Sequence, residues 1–215
     1  MATNLYSRQY PLFVFSTLDF ITIRIKISKV QFSLFDSLSL KMPSSKIQST
    51  PLKYLSSYSI EVQDRIRTMI EQDTLGHFLL QKYPQTHNIN NDKMLREYVM
   101  NLKNTHLRKS SPLSKVIYDK KIHVVNNALG LHTFISRVQG NKLKSKNEIR
   151  ISDIFKTAPE VFLEMIVVHE LAHIRIKPHD KAFYQLCQYM LPDYHQLEFE
   201  MRLYLTQLEL KGQIY

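Results

Sequence analysis

Apolar residues recur every three or four positions in three stretches between residues 59 and 107. This spacing predicts a helix from about Ser59 to Asp73, a short helix over Leu75–Lys82 that Pro84 ends, and a third helix from Asp92 to Leu107. The first and third stretches each present one apolar stripe, which is typical of helices that pack on a core through one side.

Four shorter runs, rich in β-branched and aromatic residues, predict strands. They read KVIYD, KIHVV, HTFISRV and NEIRIS, with turns expected at residues 126–130 and 140–146. Two interpretations of NEIRIS stay open. As an exposed edge strand it could hold an extended substrate by backbone pairing, whereas as an interior strand it could not.

Helices are expected again after the strands. Thr157 and Glu160 have the spacing of a capping box, in which each side chain bonds to a free backbone N–H at the start of a helix. Two further helices are predicted over Lys181–Met190 and Asp193–Leu210, because Pro192 interrupts the helical pattern between them.

The first fifty residues differ from the rest of the chain. Charged residues between Asp19 and Lys29 interrupt the apolar run well short of the about 20 residues that span a bilayer. Three interpretations remain: a disordered or loosely attached extension, an extra strand pair, or translated upstream sequence before a true start at Met42. The first and third are favoured, so an extension over residues 1–50 and one domain over residues 55–215 are expected.

Composition narrows the class of protein. The chain has 215 residues, of which 44% are hydrophobic, so it can bury a sizeable core. Its one cysteine, Cys187, cannot form an intrachain disulfide, which makes the cytoplasm the default location and a small core residue its expected role. The formal net charge of +10 favours anionic partners, or else reflects a solvated lysine-rich surface. No nucleic-acid motif and no membrane segment accompany it.

The strongest chemical signal is the run VVHELAHIRIKPHDKAF, which places histidines and a glutamate in an otherwise apolar helix. Four residues advance a helix by about 6 Å with only ~40° of rotation, so His169 and His173 face one point and can share a metal ion. Glu170 lies beside that point, where it can take a proton from an attacking water. This is the HExxH arrangement of zinc hydrolases. Core histidines bonded to backbone or carboxylates are the weaker interpretation, since burying these groups without a metal is costly.

Zinc needs a third protein ligand if one position is to stay open for water. His179 follows the motif after five residues, and Pro178 disfavours helix just before it, so the chain is expected to turn and bring His179 back to the metal. The spacing matches HExxHxxGxxH except that Ile176 replaces the turn glycine, which speaks against a true metzincin. The alternative is that Glu198 or His195 completes the site.

Hydrolysis also needs a group that stabilises the negative charge developing on the substrate. With Glu170 as the general base, four polar side chains are candidates for transition-state or substrate contacts. They are His195, Tyr194, Arg175 and Arg137.

Two segments of the chain resemble a known family. They read FLEMIVVHELAHIRIKPHDKAFYQLCQYMLPDYHQLEFEMRLYLTQL and KIHVVNNALGLHTFISRVQGNKLKSKNEIRI, and they are similar to the YgjP-like metallopeptidase domain family. The resemblance implies an α+β, zincin-like fold in which a small β-sheet packs on the HExxH helix, with additional N- and C-terminal helices. It also implies a bacterial cytoplasmic protein with Zn2+ bound by His169, His173 and His179, and with Glu170 as the base.

Three functions are compared. The leading one is a zinc-dependent hydrolase of metallopeptidase type. Relatives in this family are described as acting on UTP, so the second is release of pyrophosphate from a nucleotide, with Arg137, Lys142 and Lys144 as phosphate contacts. The third is non-enzymatic, with a structural metal or a nucleic-acid-binding surface; closed zinc sites usually have four ligands and are often rich in cysteine, unlike this set. The expected substrate is therefore a peptide or a nucleotide.

Overall fold

A computed structural model describes residues 52–122, 130–139 and 142–215, and gives the backbone alone for residues 130–139 and 142–146. Its helices are α1 (Ile60–Glu71), α2 (Leu75–Lys82), α3 (Asp92–His106), α4 (Glu160–Ala172), α5 (Lys181–Met190) and α6 (Tyr194–Lys211). Its strands are β1 (Leu113–Asp119), β2 (Gly130–Gln139) and β3 (Lys142–Ser152). Helices combined with one small sheet confirm the predicted α+β class.

Polar side chains cap the starts of three helices. Ser59 and Asn91 each accept a hydrogen bond from the backbone N–H three residues later, at 3.4 Å and 3.0 Å. Asp180 does the same at 2.9 Å. Each cap satisfies one of the backbone N–H groups that have no partner within the first turn. The predicted starts of α1, α3 and α5 are confirmed to within one residue.

The strands form a single sheet in the order β1-β3-β2. The middle strand, β3, is parallel to β1 and antiparallel to β2. NEIRIS belongs to β3, so it is an interior strand, and the edge-strand interpretation is wrong. Both of its backbone edges are occupied by neighbouring strands, which leaves no ladder there for an extended substrate.

The hairpin between β2 and β3 is longer than the sequence pattern indicated. Pairing runs from Gln139 opposite Lys142 to Gly130 opposite Ile151. The turn predicted over residues 140–146 is therefore wrong from Lys142 onward. These lysine-rich residues lack apolar alternation, but continuous pairing with β2 satisfies their backbone groups and extends the strand. Most of KIHVV lies outside the described residues.

Helix α4 begins later than the capping-box pattern predicted. Thr157 ends a 3₁₀ helix that begins at Asp153, and the next two residues are extended, with ψ of 164° at Ala158 and 143° at Pro159. Pro159 is the N-cap, and no side chain caps the helix. The prediction that Thr157 caps α4 is wrong, because the tight turn after β3 occupies Thr157 before the helix starts.

The core is built around α4. Its residues from Met165 to Ala172 are all buried, and it contacts β2, β3, α3, α5 and α6. Across the described ranges, no helix combines the length and apolar character needed to cross a bilayer. The segment predicted as an N-terminal extension lies outside the described residues, so its division from the domain stays a prediction.

Candidate metal centre

Three histidine rings meet at the C-terminal end of α4. His169 lies in the last turn, His173 is the C-cap, and His179 lies in the loop before α5. The Nε2 atom of His179 is 3.1 Å from Nε2 of His169 and 3.1 Å from Nε2 of His173. In the part of the chain that is described, no other group of His, Cys, Asp or Glu gathers ligand atoms in this way.

The spacing of these nitrogens fits a metal ion. Two ligands at about 2.0–2.1 Å from a tetrahedral zinc ion lie roughly 3.3 Å apart. The observed separations of 3.1 Å are within a few tenths of that value. Hydrogen bonding among the rings is a poor account of the cluster, because Nε2 of His179 carries either one hydrogen or one lone pair and faces two neighbours.

The outer nitrogens of two rings are held by other groups. Nδ1 of His173 lies 3.1 Å from the carbonyl oxygen of Ile176. A carbonyl only accepts, so Nδ1 carries the hydrogen and the lone pair on Nε2 faces the cluster. Nδ1 of His169 lies 2.7 Å from the hydroxyl of Tyr194. Burial, followed by the neighbouring imidazoles, lowers the pKa of His169 well below its ordinary value, so its ring is neutral and can offer a lone pair.

The chain returns to the centre without a glycine. After the C-cap, the N–H groups of Arg175 and Ile176 both donate to the carbonyl of Ala172 at 3.0 Å. Among the described non-glycine residues, only Asp73 has a positive φ. The turn toward His179 therefore uses ordinary negative φ values, which explains why Ile176 can stand where the metzincin pattern has glycine.

Glu170, the predicted base, and Phe183, which packs on the three histidines, are both buried. Glu170, directly after His169 on α4, is 3% exposed. The ring of Phe183 packs against all three imidazoles, with centroid distances of 4.9 Å to His169, 4.5 Å to His173 and 4.8 Å to His179. Sequence reasoning missed Phe183, since an apolar residue at helical spacing carries no sign that it borders a site.

Comparison with known proteins agrees with this geometry. A family model described as "YgjP-like, metallopeptidase domain" matches residues 21–204. The chain belongs to the YgjP-like metallopeptidase domain family. It is also 57% identical over 159 residues to the curated UTP pyrophosphatase of Escherichia coli (strain K12), covering 74% of this chain and 95% of that protein. No solved structure matches significantly, so the zincin-like description of this YgjP-like fold stays a prediction.

Glu198 and His195, the alternative third ligands of this YgjP-like domain, lie outside the histidine cluster and contact each other. Glu198 is 2% exposed and accepts a hydrogen bond from Nη2 of Arg202 at 2.9 Å. Nδ1 of His195 lies 3.9 Å from Oε2 of the same carboxylate. Burial alone would raise the pKa of Glu198, but the positive charge of Arg202 and the contact with His195 outweigh it, so the pKa is lowered.

The remaining predicted residues lie in three places. Tyr194 is buried behind the His169 ring, on its Nδ1 side, and burial raises the pKa of its hydroxyl well above the ordinary value. Arg175 is exposed in the loop between His173 and His179. Arg137 lies on β2, where its backbone pairs with Lys144 of β3. The structure describes only the backbone of Arg137, Lys142 and Lys144, so the predicted contacts of these side chains stay predictions.

Proposed function

We propose that this chain is a metal-dependent hydrolase that releases pyrophosphate from a nucleoside triphosphate such as UTP. The observation that carries the proposal is the convergence of three imidazole nitrogens at the end of the helix that also carries the buried Glu170. The choice of substrate rests on the 57% identity to a UTP pyrophosphatase over nearly the whole of that protein.

The histidines and the glutamate would divide the work. His169, His173 and His179 would hold a divalent ion through Nε2, which fits their 3.1 Å spacing. Such an ion would supply Lewis-acid chemistry, easing deprotonation of water and polarising a phosphoryl oxygen. An Oε atom of Glu170 would accept the proton of the water that attacks the α-phosphorus and would return it to the departing pyrophosphate.

Positive charge on the chain supports an anionic substrate. The net charge is +10. Arg175 is exposed within the loop that carries the third histidine, so its guanidinium is accessible to a phosphate in solution. The β2–β3 hairpin adds Arg137, Lys142 and Lys144, which remain predicted phosphate contacts.

A peptide substrate is the second candidate. It is favoured by the HExxH spacing and by the description of the family as a metallopeptidase domain. Among the described strands, β2 is an edge, and it contacts α4. An extended peptide could pair with β2, whereas β3 has both edges occupied.

The test compares wild type with Glu170→Gln, using Glu164→Gln on the same helix as the matched control. Pyrophosphate release from UTP and other nucleoside triphosphates is measured alongside cleavage of casein and peptide libraries, all with zinc. Glu170→Gln should lower the UTP rate by about 10²–10⁴-fold, because general acid–base catalysis contributes that much. Glu164→Gln should retain the wild-type rate.

Each other outcome has a defined meaning. Turnover that Glu170→Gln leaves at the wild-type rate would not come from this site and would contradict the proposal. Glutamate-dependent cleavage of peptides without turnover of any nucleotide would favour the second candidate instead.

A further inference from the structure

The proposed hydrolysis assigns no role to Tyr194, although this residue contacts one of the three histidines. It is the first residue of α6, and its hydroxyl lies 2.7 Å from Nδ1 of His169. Both side chains are buried. Their rings are nearly parallel, with an angle of 14° between the planes. The hydroxyl meets Nδ1 of His169, whereas Nε2 of the same ring is the atom that faces His179.

The two ligands of the HExxH motif differ in how their outer nitrogens are held. At His173 a backbone carbonyl accepts from Nδ1–H, so its tautomer is set by the turn after α4. At His169 the partner is a hydroxyl, which can either donate or accept. If the hydroxyl donated, Nε2 would carry the hydrogen and could not bind a metal ion. The hydroxyl must accept, and its own hydrogen needs another acceptor.

Cys187 on α5 is a neighbour of the same hydroxyl. Its side chain is buried, and burial raises the pKa of its thiol, whereas hydrogen bonding with Tyr194 lowers that pKa. Sulfur is a weak acceptor, so the hydroxyl hydrogen of Tyr194 would point toward Cys187 once its oxygen accepts from Nδ1–H of His169.

We infer that Tyr194 is a positioning residue, which fixes the tautomer and orientation of His169 so that Nε2 offers its lone pair to the metal ion. This inference rests on the metal site of the proposed function and is independent of the substrate.

The test measures zinc affinity in the full chain by competition with a chromophoric chelator. Tyr194→Phe keeps the ring and removes the hydroxyl, and it should weaken zinc binding about 10–100-fold, the usual effect of losing such an outer partner. Tyr118→Phe is the matched control. This tyrosine is also buried, its hydroxyl donates to the carbonyl of Ile89 at 2.6 Å, and it lies on β1, which carries none of the three histidines. This variant should bind zinc as tightly as wild type.

A second measurement does not depend on any variant. Long-range ¹H–¹⁵N NMR spectra of the zinc-loaded wild type should show a hydrogen on Nδ1 of His169. A hydrogen on Nε2 would overturn the inference, as would wild-type zinc affinity in Tyr194→Phe or an equal loss in Tyr118→Phe. Failure of the wild type itself to bind zinc would overturn the proposed function together with this inference.

Discussion

Removing the buried ion pair between Glu198 and Arg202 should lower the free energy of unfolding by a measurable amount. Both side chains are buried, at 2% and 6% exposure, and Nη1 of Arg202 also donates to the carbonyl of Tyr54 at 3.2 Å. Glu198→Gln keeps the shape of the side chain but removes the negative charge that faces the guanidinium of Arg202. Breaking a buried pair from one side costs about 3–5 kcal/mol. We expect the lower end, about 3 kcal/mol, because glutamine retains an oxygen acceptor for Arg202.

The same helix offers a matched control. Glu209 pairs with Lys53 at 2.5 Å, but the two side chains are 37% and 29% exposed. Solvent screens such a pair, so Glu209→Gln should cost less than about 1 kcal/mol. Urea unfolding at pH 7 measures both variants. At roughly 2–4 °C per kcal/mol for a domain of this size, Glu198→Gln should also lower Tm by about 6–12 °C.

The contribution of Glu198 to the free energy of unfolding should depend on pH. The pKa of Glu198 is lowered in the folded chain, so its contribution to stability is present above the unfolded pKa and is lost as the pH falls through the folded value. The difference in unfolding free energy between wild type and Glu198→Gln should therefore shrink in acid. A destabilisation at pH 7 no larger than that of Glu209→Gln would refute the reasoning.

Two further predictions concern His87 and His179. His87 accepts from the N–H of Ile89 at 3.0 Å and bonds to the carbonyl of Phe155 at 2.7 Å, and its pKa is lowered, chiefly by burial. In the unfolded chain His87 takes up a proton near pH 6.5, whereas in the folded chain it does so only at lower pH, so the free energy of unfolding should fall below about pH 6.5. His87→Asn should make that fall less steep, as measured by urea unfolding from pH 5 to 7.5. Parallel curves for the two proteins would contradict this. His179→Ala should lower zinc affinity by more than 10-fold in a chelator competition assay, and unchanged affinity would show that the third ligand lies elsewhere.

Local patterns predicted the helices well because their determinants are local. Helix α2 covers Leu75–Lys82 as expected, since apolar spacing and Pro84 both act within a few residues. The HExxH spacing brought two imidazoles to one face for the same reason. The convergence of His179 was predicted from Pro178 and a count of residues, and the turn that achieves it needs no glycine.

Tertiary packing decided what the sequence could not indicate. Lys142–Lys146 reads as a turn, yet pairing with β2 makes it a strand. Tyr194 was predicted as a substrate contact, but the packing of α6 on α4 sets its hydroxyl against the outer nitrogen of His169. No spacing within one helix reports which atom of a ring a distant helix will touch.

The most direct test of the central claim is X-ray absorption spectroscopy of the zinc-loaded protein. Three imidazole nitrogens are expected at about 2.0–2.1 Å from the metal, with oxygen in the remaining position. A shell with fewer than three imidazoles, or one that contains the sulfur of Cys187, would contradict it.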